Sequence, residues 1–303
     1  MKSVFLDCGI VNPGDISWEE IEKHGEFRFY KNTAHADIIK TVGDAEAVFI
    51  DSVPMDREIM EKCPQLKFIG IAATGFNHVD LDAADELGIA VANVPAYSTE
   101  AVAQHAVSLL LAVTNNVEAY NAAVADGEWQ SRKEEPFKGI KVTLLAGKTL
   151  GIIGYGNIGK QVAKIAEALG MTVNIYSRDR EAAIKSDVVS LHCPLTPENR
   201  GMINEKFISE MKDGAILINT ARGALLDEEA VAAALKSGKI AGAGLDVLAE
   251  EPPQDNHPLI GLDNCWITPH IAFTPVETRK VVVDTCGANL ESFINGGRLN
   301  RLV

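Results

Sequence analysis

An arginine, a turn of carboxylates and a histidine each follow an apolar run in the second half of the chain, and these side chains could move a proton to or from a carbonyl. Arg222 follows one run, Asp246, Glu250 and Glu251 follow the next, and His270 follows a third. Histidine is well suited to donate a proton near neutral pH, a carboxylate can orient it, and the planar guanidinium of arginine binds an anion. The set predicts a site that interconverts a ketone and an alcohol, provided that a hydride carrier binds beside it.

Each of these residues also has a purely structural interpretation. Arg222 could pair with Asp227 or Glu228 at the surface, Glu251 could belong to a solvated acidic turn, and His270 could be a satisfied structural histidine. The functional interpretation is favoured because all three side chains follow strands, and ligands of open parallel sheets bind beyond the strands' carboxyl ends.

The stretch "TLGIIGYGNIGKQVAKIAEALG" supplies a candidate site for the hydride carrier. Gly154, Gly156 and Gly159 follow an apolar strand and open an amphipathic helix. The first glycine permits a tight turn, the second lets the backbone approach a pyrophosphate, and the third lets the helix pack closely on the strand. The N–H groups of the first helical turn, at Asn157 and Ile158, would face the phosphate oxygens. A turn that merely packs is the alternative.

Short β-branched runs alternate with helical stretches along almost the whole chain, which indicates parallel sheets joined by crossover helices. Strands are predicted at 3–6, 47–50, 67–72, 89–93, 149–154, 172–176, 187–192, 215–219, 242–247 and 265–268.

Two longer helical stretches suggest how the chain divides. Apolar residues recur at helical spacing over roughly 99–125, and an irregular polar stretch, 126–143, follows. The last helix is predicted at about 276–296. We therefore predict one α/β unit at 1–98, a second at 99–272, and a segment at 273–303 that returns to the first unit.

The composition excludes several classes of protein. The 303 residues are 47% hydrophobic and 23% charged, and the net charge of −14 with no basic cluster argues against a nucleic-acid surface. Five scattered cysteines suggest neither a disulfide framework nor a structural zinc site, and we expect no metal. The apolar N-terminal run stops at Asp7, too early for a secretory signal or a membrane span, so a cytoplasmic location is predicted.

The chain resembles the D-isomer-specific 2-hydroxyacid dehydrogenase family over nearly its full length. The matching stretches, in order, are "GFNHVDL", "NVPAYSTEAVAQHA", "LAGKTLGIIGYGNIG", "SDVVSLHCPLTPENRGMIN", "LINTARGALLDEEAV", "GLDVLAEEPP" and "ITPHIA". The resemblance implies a Rossmann-type NAD(P)-binding domain inserted into a flavodoxin-like substrate domain, and a homodimer formed through the region after the long helix.

The resemblance also implies roles for individual residues. Arg222, Glu251 and His270 would be catalytic, and Asp246 would contact the nicotinamide amide. Further cofactor contacts are expected at Ser177, Arg178, His192, Cys193, Pro194, Thr220 and Ala221. Substrate contacts are expected at Thr74, Gly75, Phe76, Tyr97 and Arg222.

The implied reaction is the reduction of a small 2-keto acid, of the hydroxypyruvate or glyoxylate type, by NAD(P)H with His270 as the proton donor. Some relatives are instead NAD(H)-sensing binding proteins or corepressors. The intact set of Arg222, Glu251 and His270, with no interaction tail expected after Val303, favours an enzyme.

The stretch "NIYSRDREAAIKSD" (174–187) bears on the choice of cofactor. Rossmann sheets that bind NAD carry a carboxylate after the second strand for the ribose 2′-OH, whereas a nearby arginine accommodates the 2′-phosphate of NADP. The resemblance puts Ser177 at that position with Arg178 beside it, which favours NADP over NAD. Asp179 could still reach the ribose, and Arg178 and Arg180 could be solvated loop residues.

The same stretch is short. Only residues 177–186 separate the predicted second strand from the next apolar run, and a parallel crossover needs a dozen or more residues. The third strand is therefore predicted to be missing, with one short helix at 180–185 in its place. Because that strand is an edge in the order 3-2-1-4-5-6, its loss leaves the middle of the sheet intact.

Overall fold

The computed structural model describes residues 1–131 and 140–303, which form two compact units. One unit comprises Met1–Ser98 with Phe273–Val303, and the other comprises Thr99–Ala272.

The first unit contains a parallel sheet of five strands in the order β2-β1-β3-β4-β5, which is the flavodoxin-like order. Its strands are β1 (Lys2–Phe5), β2 (Glu26–Phe29), β3 (Ala47–Ile50), β4 (Phe68–Ile71) and β5 (Ala90–Ala92). Its helices are α1 (Cys8–Val11), α2 (Glu19–Glu22), α3 (Ile38–Val42), α4 (Arg57–Glu61), α5 (Leu81–Glu86) and, last in the chain, α13 (Val276–Ile294); a 3₁₀ turn covers His35–Asp37.

Alternate residues of these strands serve two cores on opposite faces of the sheet. Val48 and Ile50 pack on one face beneath α3 and α4. Phe49 and Phe68 pack on the other face with Val283 and other apolar residues of α13. This two-residue alternation is the period of a β-strand, and it explains why the C-terminal helix completes the first unit.

The second unit contains six parallel strands among its described residues, in the order β11-β10-β9-β8-β6-β7. They are β6 (Thr149–Ile153), β7 (Thr172–Ile175), β8 (Val188–Leu191), β9 (Ala215–Asn219), β10 (Ile240–Leu245) and β11 (Cys265–Ile267). The helices are α6 (Thr99–Asn115), α7 (Val117–Ala125), α8 (Glu128–Ser131), α9 (Asn157–Ala168), α10 (Arg180–Ile184), α11 (Glu205–Glu210) and α12 (Glu228–Ser237), with a 3₁₀ turn at Gly223–Leu225. Helices α6 and α9 cover one face and α11 and α12 the other, as in a Rossmann sheet.

Among the described residues, the sheet lacks the third strand of the Rossmann order, as the length of the segment predicts. The segment from β7 to β8 holds α10 alone, and β7 forms the edge of the sheet. A Cβ on Gly151 of β6 would lie 2.0 Å from the carbonyl oxygen of Ala183, so the glycine allows α10 to lie directly on the sheet. The Asn174 amide ties the edge strand to the end of α10 by donating to the Ala182 carbonyl (3.2 Å) and to Ser186 Oγ (3.0 Å).

The prediction of one continuous helix over 99–125 is wrong. Helix α6 ends at Asn115, Asn116 takes a left-handed conformation (φ +50°), and α7 begins at Val117. The Thr114 carbonyl accepts from the Thr143 N–H (2.8 Å), and the Asn116 amide donates to the Lys141 carbonyl (2.7 Å). These bonds to a segment distant in sequence stabilise the break, and asparagine tolerates the left-handed region well.

Two further differences concern short elements. Strand β2 was not predicted because its sequence, "EFRF", alternates charged and aromatic residues over four positions only; Phe29 stacks on Trp18 with ring centroids 4.6 Å apart. The stretch 126–143, predicted to be irregular, contains α8, while its residues 132–139 lie outside the described residues.

Candidate active site

The structure brings His270 and Glu251 together at the carboxyl edge of the second sheet. Nδ1 of His270 lies 2.7 Å from Oε2 of Glu251, and Oε1 of the same carboxylate accepts from the Leu248 N–H (2.9 Å). Glu251 follows β10 and His270 follows β11, and these strands are neighbours. Both side chains are partly exposed, by 43% for His270 and 36% for Glu251, so a small molecule can reach the pair.

Asp246 anchors the turn that carries His270. The histidine has φ +54°, a left-handed conformation that costs energy for any residue with a Cβ unless its surroundings hold it. The Asp246 carbonyl accepts from the His270 N–H (2.8 Å), and its carboxylate accepts from the N–H groups of Ile271 and Ala272, at 2.9 Å each. The carboxylate also accepts from Thr268 Oγ1 (2.6 Å).

The charges at the site shift the pKa values of the pair in opposite directions. The hydrogen bond that His270 donates to Glu251 raises the pKa of His270 above its usual 6.5, although burial lowers it. The charges of Glu251 and Asp246 add to the rise, and Arg222 opposes it. Burial raises the pKa of Glu251, but the hydrogen bonds from His270 and from the Leu248 N–H outweigh burial and hold that pKa below 4.5. Glu251 is therefore ionised near neutral pH and stabilises a proton on His270.

The guanidinium of Arg222 belongs to the same cluster, since it lies close enough to oppose the rise in the pKa of His270. Its Nη1 donates to the Ala221 carbonyl (2.7 Å). The surface pairing considered for it does not occur among the described residues: Asp227 caps α12 by accepting from the Ala230 N–H, and Glu228 binds other groups.

The glycine-rich loop has the local geometry that a dinucleotide site requires. Gly154 has φ +100°, and a Cβ there would lie 2.4 Å from the Cys193 nitrogen. A Cβ on Gly159 would lie 2.1 Å from the Gly154 carbonyl oxygen, so both positions exclude any other residue. Among the described residues, a Cβ on Gly156 would meet nothing within 4 Å, and no side chain caps the helix that begins at Asn157. The open space therefore lies where a pyrophosphate would meet the first helical turn.

Strands β8 and β9 are each followed by a residue with a buried polar atom that has no hydrogen-bond partner among the described residues. His192 follows β8, and its Nε2 is 2.8 Å from Ser190 Oγ, whereas its Nδ1 has no hydrogen-bond partner among the described residues. Burial lowers the pKa of His192 to about 4, so its ring is neutral near neutral pH. Thr220 follows β9, and its Oγ1 likewise has no partner in the described chain. Unpaired buried polar atoms are rare, and these two fit donors and acceptors of a bound dinucleotide.

Two of the polar residues that follow β7 are bound to other groups of the protein. Asp179 caps α10 by accepting from the Ala182 N–H (3.0 Å), and Arg180 donates to Glu210 (2.8 Å). Ser177 and Arg178 are exposed, and the guanidinium of Arg178 lies 5.3 Å from the ring centre of Tyr155 in the glycine loop. Asp179 is thus engaged as a cap, while Arg178 lies beside the loop.

The residues predicted to contact substrate outside this cluster belong to the first unit. Thr74 Oγ1 donates to the Val94 carbonyl (2.8 Å), which fixes the loop after β4. Within the described chain, the N–H groups of Thr74, Gly75 and Phe76 donate to no protein acceptor. Tyr97 packs against the apolar core of the same unit.

Sequence reasoning missed four polar residues that support the cluster. His105 Nε2 lies 2.9 Å from Thr268 Oγ1 and 3.3 Å from the Asp246 carboxylate. Glu228 and His257 form a second histidine–carboxylate pair. Only the position of Thr268 at the end of β11 could have suggested a role, because the other contacts depend on segments that are distant in sequence.

The chain is similar to known proteins of one family. Residues 107–272 match the family model described as "D-isomer specific 2-hydroxyacid dehydrogenase, NAD binding domain". The chain belongs to the D-isomer-specific 2-hydroxyacid dehydrogenase family. The dehydrogenase is therefore an oxidoreductase that acts on a CH–OH group and uses a nicotinamide cofactor.

Several proteins similar to this dehydrogenase match it over nearly their whole length. Hydroxypyruvate reductase of Blautia hydrogenotrophica is 43% identical and covers 99% of both chains. Glycerate dehydrogenase of Methylorubrum extorquens is 39% identical over 97% of this chain and 96% of its own. The crystal structure of TT0316 protein from Thermus thermophilus superposes with a TM-score of 0.88 at 35% identity and covers all of both chains.

No helix within residues 1–131 and 140–303 is long and apolar enough to cross a membrane.

Proposed function

We propose that the dehydrogenase interconverts a small 2-keto acid and the corresponding D-2-hydroxy acid, with reduction by NADPH as the direction to assay. The observation that carries the proposal is the 2.7 Å contact between His270 and Glu251 beside the guanidinium of Arg222. A proton donor, the carboxylate that orients it and a cation for the substrate carboxylate are the groups that this reaction needs.

His270 moves the proton. Its Nδ1–H donates to Glu251, which fixes the ring orientation and leaves Nε2 as the nitrogen that serves the substrate oxygen. When bound, the nicotinamide supplies the hydride or accepts it. In reduction, protonated His270 gives its Nε2 proton to the oxygen that becomes the alcohol; in oxidation, neutral His270 takes that proton back. Glu251 stays ionised and stabilises the imidazolium.

Arg222 binds the carboxylate of the substrate and polarises the neighbouring keto oxygen. Its guanidinium can donate two parallel hydrogen bonds, which suits a planar 2-keto acid. The N–H groups of Thr74, Gly75 and Phe76 are a second candidate for the carboxylate, and Tyr97 a candidate for the border of the pocket. Their lack of protein acceptors in the described chain supports the role of the N–H groups.

The cofactor is held by the glycine loop and by the residues that follow β7, β8 and β9. The contacts proposed from the sequence at Gly154, Gly156, Asn157, Ile158, Ser177, Arg178, His192, Cys193, Pro194, Thr220, Ala221 and Asp246 remain proposals. The side chain of Asp246 is only 1% exposed. We therefore assign Asp246 a second role, which is to anchor the turn that carries His270.

NADP is proposed as the preferred cofactor. Arg178 has no acidic partner in the described chain and stacks beside the glycine loop, where it can pair with a 2′-phosphate. Ser177 adds no negative charge, and Asp179, the residue that could have bound a ribose 2′-OH, is engaged as a helix cap.

Hydroxypyruvate and glyoxylate are the proposed substrates, since relatives at 43% and 39% identity are named hydroxypyruvate reductase and glycerate dehydrogenase. These names do not favour an NAD(H)-sensing protein without turnover. A homodimer formed through the region after the predicted long helix, residues 99–125, and a cytoplasmic location stay predictions.

Initial rates with NADH and NADPH against glyoxylate, hydroxypyruvate, pyruvate and 2-oxoglutarate test this proposal. We expect the highest kcat/KM with NADPH and with hydroxypyruvate or glyoxylate. Turnover below the buffer background with every pair of cofactor and keto acid would contradict the proposed reaction, and a higher kcat/KM with NADH would contradict the proposed cofactor.

A further inference from the structure

A second histidine–carboxylate pair lies beside the catalytic pair in the second unit. Nε2 of His257 lies 3.1 Å from Oε2 of Glu228, and the two side chains are only 8% and 15% exposed. Glu228 belongs to the first turn of α12, whereas His257 follows the turn that carries Glu251. A hydrogen bond so well shielded from solvent is stronger than the same bond in water, so the geometry of the pair is held firmly.

The contacts of His257 define which nitrogen carries the proton. Nδ1 accepts from the Leu259 N–H at 3.4 Å, so it carries no hydrogen. Nε2 must then be the protonated nitrogen, and it donates to Glu228. Both ring nitrogens are engaged, and the ring bridges the backbone at residue 259 to the carboxylate.

The other oxygen of Glu228 holds the backbone that orients the catalytic carboxylate. Oε1 of Glu228 accepts from the Ala249 N–H (2.8 Å), and the neighbouring Leu248 N–H donates to Oε1 of Glu251 (2.9 Å). Two consecutive amides are therefore each bound by a carboxylate. Gly223 closes the segment from the other side, since a Cβ there would lie 1.9 Å from the Leu248 carbonyl carbon.

We propose that Glu228 and His257 are positioning residues for the reaction, a role that rests on the proposed function. By holding the Ala249 N–H, Glu228 fixes the peptide plane of the segment that presents the Leu248 N–H to Glu251. Glu251 then points its second oxygen at Nδ1 of His270. His257 keeps the Glu228 carboxylate in the orientation that this requires.

If Glu228 only stabilised α12, replacing Glu228 or Glu229 by alanine should have similar effects. An acidic residue in the first turn of a helix interacts favourably with the helix dipole, and Glu229 is acidic in the same turn. Glu229 is exposed, and within the described residues no hydrogen bond joins it to the catalytic segment, so Glu229→Ala is the matched control.

The test compares Glu228→Ala, Glu228→Gln, His257→Phe and His257→Gln with that control. We expect Glu228→Ala and His257→Phe to lower kcat for keto-acid reduction roughly 10- to 100-fold, the range found when residues that orient a metal ligand are removed. The dissociation constant for NADPH should stay within about twofold. Glu228→Gln and His257→Gln keep an acceptor for the Ala249 N–H and a donor for Glu228, respectively, so they should recover part of the loss.

The pKa of His270, followed by NMR of its ring in each variant, gives a readout that does not depend on turnover. It should fall toward 6.5 in Glu228→Ala, because a misplaced Glu251 stabilises the imidazolium less, and it should not move in Glu229→Ala. An unchanged His270 pKa in Glu228→Ala, or equal losses in the Glu228 and Glu229 variants, would overturn the positioning role. Failure of the proposed function would appear differently, as a wild-type protein without turnover.

Discussion

Nδ1 of His270 lies 2.7 Å from Oε2 of Glu251, and the other oxygen of that carboxylate is held by the Leu248 N–H. The carboxylate is therefore fixed at both oxygens before any substrate arrives, and it can bind the imidazolium without reorienting. Preorganised charge of this kind stabilises a transition state without the cost of rearranging at the moment of reaction.

The pH dependence should have opposite signs in the two directions. The pKa of His270 is raised, and reduction needs the protonated ring, so kcat/KM for reduction should stay level at low pH and fall above a pKa higher than 6.5. Oxidation of the hydroxy acid should rise through the same pKa. The stability that His270 contributes follows the same sign: it is fully present below 6.5 and is lost as pH rises through the raised pKa. The stability that Glu251 contributes has the opposite sign, because its pKa is lowered: it is present above 4.5 and is lost as pH falls through the lowered pKa.

Glu251→Gln provides the control for that profile. The amide removes the charge that raises the pKa of His270, so the falling limb of the reduction profile should move to lower pH. A profile that does not move in Glu251→Gln would show that another group titrates.

Replacing Arg222 should weaken substrate binding and catalysis together. Arg222→Gln removes a charged donor pair that we expect to contribute about 1.5–3 kcal/mol, which is roughly 10- to 150-fold in kcat/KM for the keto acid. Arg222→Lys should recover little of this, because an ammonium does not bind a carboxylate through two parallel bonds. Wild-type kinetic constants in Arg222→Gln would remove the residue from the site.

Arg178 should act on the cofactor alone. Arg178→Ala should raise the KM for NADPH about tenfold and leave the KM for NADH unchanged, because only NADPH carries the 2′-phosphate. Arg180→Ala is the control, since that side chain is bound to Glu210. Equal effects of Arg178→Ala on both cofactors, or a larger effect of Arg180→Ala on NADPH, would refute the assignment.

Two glycines of the same loop should respond differently to alanine. Gly159→Ala should destabilise the fold by about 1–3 kcal/mol, because its Cβ would lie 2.1 Å from a backbone oxygen. Gly156→Ala meets open space, so Tm without cofactor should stay near the wild-type value while the dissociation constant for NADPH rises. Thermal unfolding and fluorescence titration separate the two effects, and unimpaired NADPH binding in Gly156→Ala would argue against a pyrophosphate there.

Local sequence patterns were sufficient to predict most of the second sheet. Most of its described strands are apolar runs that contain β-branched residues. The lack of a third strand in the described chain follows from the short segment, residues 177–186, between the predicted second strand and the next apolar run. The break at Asn116 could not be predicted, because it depends on hydrogen bonds from residues 141 and 143, which no local pattern indicates.

The candidate site could likewise be predicted only in part. Arg222, Glu251 and His270 could be placed together because each follows a strand of one parallel sheet. The bonds that hold them could not be predicted, since His105, Glu228 and His257 reach the site from distant parts of the chain.

The cap formed by Asp179 is an intermediate case. An aspartate directly before a helical stretch can either cap that helix or reach the ribose of a cofactor, and the sequence left both roles open. The structure shows the cap, in which the Asp179 carboxylate accepts from the Ala182 N–H.

His270→Gln tests directly whether His270 transfers the proton. We would measure NADPH-dependent reduction of hydroxypyruvate and, in parallel, the dissociation constant for NADPH. We expect a loss of roughly 100- to 10,000-fold in kcat with unchanged NADPH binding. Turnover within about tenfold of the wild-type rate in a variant that binds NADPH normally would contradict it.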